Sequence, residues 1–175
     1  MKKKKIIGLS LVTLLIAVFS FIVIKIFLKK EENRIIKETR ITIPDFSLKD
    51  TFGNLFNNID IPKNDFTLFI VFNPDCHFCQ LEAEEMRQKS PEFKEFNIYF
   101  VSSAPIDEIK VFSENYNLNR LTNIKFLYDD TNSFSTTVGA TTVPFMMLYD
   151  KNHQLIKIYQ GSIKLDVILN DAKEY

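Results

Sequence analysis

An α/β fold with a mixed central sheet is predicted by three observations. Runs of apolar and aromatic residues read as strands, helical stretches alternate with them, and the last two strands join through a tight turn. The run "DFTLFIVFN" (Asp65–Asn73) is almost continuously apolar, the pattern of a central strand buried on both faces. "FNIYFVSS" (Phe96–Ser103) and "PFMMLYD" (Pro144–Asp150) read the same way. In "QLIKIYQG" (Gln154–Gly161), Leu155, Lys157 and Tyr159 alternate with Ile156 and Ile158, and "DKNH" ties this run to the one before it as a hairpin. Helices are expected over Cys76–Lys89, Ile106–Asn117 and Ile163–Ala172. Strands separated by helices imply parallel pairing in the first half, and the closing hairpin makes the sheet mixed.

This domain is expected to occupy residues 41–175. Fourteen of the 17 phenylalanines fall inside it, so its core needs no disulfide merely to stay folded. Residues 1–28 read as a membrane anchor. Lys2 to Lys5 precede nineteen uncharged residues, Ile6 to Ile24, and nineteen helical residues reach roughly 28 Å, near the thickness of a bilayer core. A cleaved signal peptide fits less well, because Val18-Phe19-Ser20 is the one tolerable cleavage site and sits inside the apolar run. No cysteine precedes Cys76, which argues against a lipid anchor. The short lysine-only head has the shape of an export signal and places the domain outside the cytoplasm, periplasmic or beyond, on a bacterial-type inner membrane. Residues 29–40, "KKEENRIIKETR", read as a charged linker that continues the helix. Residues 31–175 carry 15 basic and 22 acidic side chains, which sets nucleic acid aside as a partner.

The chemistry is concentrated in "FNPDCHFCQLEAEEM", which holds both cysteines, Cys76 and Cys79. Asn73-Pro74-Asp75 breaks the strand and leaves Cys76 in the first turn of a helix. Unpaired N–H groups and the positive end of the helix dipole favour a thiolate there. Cys79 lies one turn further in, so Cys76 is the expected attacker and Cys79 the resolver of a mixed disulfide. A staple closing so short a loop stabilises little, and a zinc site lacks its other ligands. His153 falls in the turn, and His77 is better read as tuning the neighbouring thiolate than as a metal ligand, so no metal is expected. Glu82, three residues after Cys79, is placed to take a proton from Cys79 during resolution. Its competing reading is that Glu82, Glu84 and Glu85 are simply acids near a helix N-terminus. Glu84 and Glu85 are assigned to solvent.

Residues 41–175 resemble a thioredoxin-fold domain and, with the anchor, the membrane-tethered thiol–disulfide oxidoreductases of the TlpA and ResA type. Three features carry the resemblance: the strand-turn "FIVFNPDCHFC", Glu82 in a C-x-x-C-x-x-E pattern, and "TTVPFMMLYDKNHQLI", similar to the stretch in which a cis-proline opens the last hairpin. The resemblance implies a redox-active Cys76–Cys79 disulfide, with Pro144 beside it and Val143 presenting backbone to a bound substrate. His77 and Phe78 complete the motif and the groove. It also implies clients such as cytochrome c apoproteins or misoxidised proteins, and electrons from a membrane-embedded thiol donor. No cofactor is implied. Departures are Asp75 in place of an aromatic, Ile70 where thioredoxins proper keep a buried aspartate, and a His77-Phe78 dipeptide without proline. The tethered reductase is the leading reading. A thiol oxidase of the same fold and a copper-delivery module are its alternatives. A peroxidase of the peroxiredoxin kind would need a lone cysteine in a Pro-x-x-x-Thr-x-x-Cys setting, and none precedes Cys76.

Overall fold

The computed structural model describes the backbone of residues 2–175 and the side chains of residues 16 and 18–175. The chain divides into two units, Met1–Glu38 and Thr39–Tyr175. Helix α1 (Lys2–Thr39) makes up the first, so the charged stretch expected as a linker is helical to Thr39. There Arg34 pairs with Glu31 and Glu38 on the exposed surface, an i,i+3 and i,i+4 arrangement of modest value. The span expected at residues 6–24 lies in large part outside the described side chains. Among the described residues no helix is long and apolar enough to cross a membrane.

The second unit holds seven strands and four α-helices. They run in the order β1 (Ser47–Asp50), β2 (Leu55–Asn57), β3 (Phe66–Val71), α2 (His77–Lys89), β4 (Phe96–Ser102), α3 (Ile106–Asn115), β5 (Ile124–Tyr128), α4 (Ser133–Thr137), β6 (Phe145–Tyr149), β7 (Leu155–Gln160) and α5 (Leu165–Lys173). The sheet order is β2-β1-β5-β4-β3-β6-β7. Strands β3, β4 and β5 pair in parallel, while β6 runs antiparallel to β3 and β7 antiparallel to β6. The fold is therefore the thioredoxin-like mixed sheet flanked by helices.

Continuous apolar runs are needed because both faces of the sheet are covered. From β3, Leu68 and Ile70 join the α2, α3 and α5 face with Cys79, Met86, Ile109 and Ile168, while Phe69 and Val71 join the opposite face with Phe134 and Val138. Fully buried Phe69 lies within 6.1 Å, ring centre to ring centre, of Phe46, Tyr99, Phe134 and Tyr149. Each such ring removes roughly 150–250 Å² from water, so this cluster anchors the face of the sheet that α4 covers.

Several elements depart from the sequence expectation. Helix α2 starts at His77 rather than Cys76, and α3 ends at Asn115. Strands β1, β2 and β5 and helix α4 were not anticipated. "SFSTT" has poor intrinsic helix propensity, yet α4 forms because a buried carboxylate caps it. Asp129 accepts hydrogen bonds from the Phe134 and Ser135 N–H groups at 3.2 and 3.0 Å and from the Ser135 hydroxyl at 3.0 Å.

Candidate active site

Strand β3 delivers the chain to the site. After Val71 the backbone turns, with the Asp75 N–H donating to Asn73 Oδ1 at 2.8 Å and the Cys76 N–H to the Asn73 carbonyl at 3.0 Å. Cys76 is thereby the N-cap of α2, not its first helical residue, and its Sγ accepts the Cys79 N–H at 3.4 Å. The two cysteines, free thiols in this structure, differ sharply in environment. Cys76 is partly exposed, whereas Cys79 is 1% exposed and packs in the core face with Ala83 and Met86. Burial pushes the Cys79 thiol well above its ordinary range, and the Cys76 sulfur beside it adds to the effect.

The loop before β6 closes the other side. The Val143–Pro144 peptide bond is cis, in agreement with the sequence expectation. The Val143 carbonyl lies 3.7 Å from Cys76 Sγ, within reach of a weak S–H···O contact. His77 and Phe78 point outward, Phe78 56% exposed, with their ring centres 6.0 Å apart. Two grooves adjoin the Asn73–Asp75 turn that precedes Cys76. One of about 380 Å³ is lined by Pro74, Asp75, Gln80, Asp107, Glu108 and Tyr116, the other of about 240 Å³ by Phe72, Asn73, Ser103, Asn132, Thr141 and Val143.

Glu82 is the buried carboxylate on this face, 3% exposed. Its Oε1 accepts the Ile163 N–H at 3.1 Å, while Oε2 is buried with no hydrogen-bond partner. Burial pushes its pKa up to about 7, opposed by the Ile163 N–H and the Ser162 hydroxyl and reinforced by the like charge of Glu85. Ile70, buried in β3, is apolar at the position where thioredoxins proper keep an aspartate. Glu84 sits outward with Arg87, but the assignment of Glu85 to solvent is corrected. Glu85 Oε1 accepts the Leu165 N–H at 3.2 Å, and its side chain is only 28% exposed. Among the described residues no three His, Cys, Asp or Glu side chains converge as a metal site.

Residues 40–170, the strands and helices that build this site, match the sequence model of the AhpC/TSA family. The chain belongs to the AhpC/TSA family. AhpC/TSA proteins are thioredoxin-fold thiol enzymes of the thiol–disulfide oxidoreductase and peroxiredoxin kinds, and this member is oxidoreductase-like. No curated protein matches the chain. Solved structures share the fold. A secreted Mycobacterium tuberculosis disulfide oxidoreductase homologous to E. coli DsbE aligns with TM-score 0.64 and 16% identity over 74% of this chain and 96% of that one. The exposed lipoprotein thioredoxin Etrx1 of Streptococcus pneumoniae aligns at 0.59 and 21%, over 75% and 99%. Peroxidoxin BcpB of Mycobacterium tuberculosis aligns at 0.65 and 16%, over 78% and 96%.

Sequence reasoning missed the Asp107–Glu108–Tyr116 side of the larger groove and the role of Glu85. Neither leaves a local signal, because both depend on where α3 and α5 pack against α2.

Proposed function

We propose that this AhpC/TSA member is a membrane-tethered thiol–disulfide oxidoreductase of the TlpA and ResA type that reduces protein disulfides outside the cytoplasm. One observation carries the reading: a partly exposed sulfur at a helix N-terminus stands in front of a buried sulfur backed by a buried carboxyl group. Attack by the Cys76 thiolate on a client disulfide forms a Cys76–client bond and releases one client thiolate. Cys79, losing its proton, then attacks Cys76 Sγ, which forms the Cys76–Cys79 disulfide and releases the second client thiol. Two electrons pass from the cysteine pair to the client. Glu82, with a pKa near neutrality, is suited to accept the Cys79 proton, because burial otherwise holds that thiol protonated. The backbone of Val143, at the mouth of the groove, aligns the client strand, and exposed Phe78 offers it an apolar contact.

A membrane-embedded thiol donor would restore the dithiol, and the lysine-headed apolar N-terminus would keep the domain beside it. Direction of electron flow is tested by a glutathione-buffered titration of the cysteine pair. A reductase is expected nearer thioredoxin, about −270 mV, than the oxidant DsbA, about −120 mV. A potential above roughly −170 mV would make an oxidase of the same fold the better reading.

A further inference from the structure

We propose that Glu85 is a positioning residue for thiol–disulfide exchange: with Glu82 it clamps the Ser162–Leu165 segment onto α2, and through Gly161 it sets the Pro144 loop against Cys76. The inference rests on the oxidoreductase reading above.

The clamp is built from two carboxylates one helical turn apart, on one face of α2. Glu82 Oε1 takes the Ile163 N–H at 3.1 Å and Glu85 Oε1 takes the Leu165 N–H at 3.2 Å, two residues along the same segment. Leu165 is the first residue of α5, so its N–H is one of the donors that α5 cannot satisfy internally. Lys89 completes the arrangement by pairing with Glu85 at 3.3 Å and with Asp166 of α5. At the other end of the segment, Gly161 adopts φ +81°, a conformation that favours glycine, and its N–H donates to the Pro144 carbonyl at 2.9 Å. A continuous path of hydrogen bonds and backbone therefore runs from α2 through residues 161–165 to the loop whose Val143 carbonyl faces Cys76.

Glu85 also acts on its neighbour by charge. The groups facing Glu82 are Cys79 and Glu85 on α2 and, from the 162–165 segment, the Ser162 hydroxyl and the Ile163 N–H, while Lys89 and Asp166 stand behind Glu85. Removing the negative charge of Glu85 therefore makes Glu82 a stronger acid. Position and charge separate in two variants. Glu85→Gln keeps an acceptor for the Leu165 N–H and removes the charge, whereas Glu85→Ala removes both.

The test uses the full-length protein, a fluorescent peptide containing one intramolecular disulfide, and rates measured across pH 5–9. Glu85→Ala is expected to raise KM about fivefold, the effect of about one lost hydrogen bond, and Glu85→Gln to restore KM to within about twofold. In Glu85→Gln the midpoint of the pH–rate profile should move to lower pH by about half a unit. A 13C NMR titration of the Glu82 carboxyl should show the same acid shift, and amide exchange at Ile163 and Leu165 should accelerate in Glu85→Ala. An unchanged KM in Glu85→Ala, or an unmoved Glu82 midpoint in Glu85→Gln, overturns the proposal. Because NMR and exchange need no turnover, a wild-type protein that exchanges no disulfide would instead sink the oxidoreductase reading.

Discussion

Replacing Glu82 by Gln should change how stability depends on pH, with a sign and a size that the structure dictates. The carboxyl group has an ordinary pKa of 4.5 and one of about 7 in the folded protein, raised chiefly by burial. Between those values the folded chain holds a proton that the unfolded chain has released, so folding is favoured by acid. The stabilisation is full below pH 4.5 and is lost as pH rises through about 7. At about 1.36 kcal/mol per unit, the shift corresponds to about 3 kcal/mol across the window. Gln keeps an acceptor for the Ile163 N–H and never ionises, so Glu82→Gln escapes the loss. The variant should lie within about 1 kcal/mol of wild type at pH 4.5 and gain on it by about 3 kcal/mol at pH 8. Carboxylates remote from Glu82 are unaffected by the substitution and cancel, leaving only its charged neighbour Glu85 coupled to it. The chain has no tryptophan and six tyrosines, so tyrosine fluorescence in guanidinium titrations under reducing conditions is a suitable readout. Parallel pH dependence in the two proteins would refute the reasoning, because it would mean that Glu82 is charged and adequately solvated in the fold.

The same substitution bears on turnover, since Glu82→Gln should slow release of a mixed disulfide while alkylation of Cys76 is nearly unchanged; equal slowing of both would assign the side chain to stability alone. Cys79→Ser should leave a persistent mixed disulfide on Cys76, visible by non-reducing electrophoresis, and iodoacetamide should label the partly exposed Cys76 before the buried Cys79. Phe78→Ala, which truncates a side chain 56% exposed, should raise KM for protein disulfides several-fold with a stability change under about 0.5 kcal/mol by denaturant titration. Asp129→Ala strips the N–H groups of Phe134 and Ser135 of their acceptor and should cost about 3 kcal/mol in the same titration.

Much of the fold was legible in the chain because burial on both sides writes a continuous apolar run. Strands β3, β4 and β6 and the β6–β7 hairpin are plain for that reason, as is the strand-to-helix turn that carries Cys76. The short β1 and β2 were not legible. They are four and three residues long, exposed on alternate positions, and hold together by pairing rather than by pattern. Helix α4 was hidden because its cap, Asp129, lies four residues upstream and works only once buried. At the site, residue type and spacing alone picked out the cysteine pair and Glu82 one turn beyond Cys79, and they set the expectation that Cys76 attacks and Cys79 resolves. The packing of α5 on α2 decided what spacing cannot encode. It buries Glu82 until its acidity approaches neutrality, and it turns Glu85 from a surface acid into the acceptor for the first N–H of α5. Desolvation and hydrogen bonding depend on what covers a side chain, and here the cover comes from residues some eighty positions away.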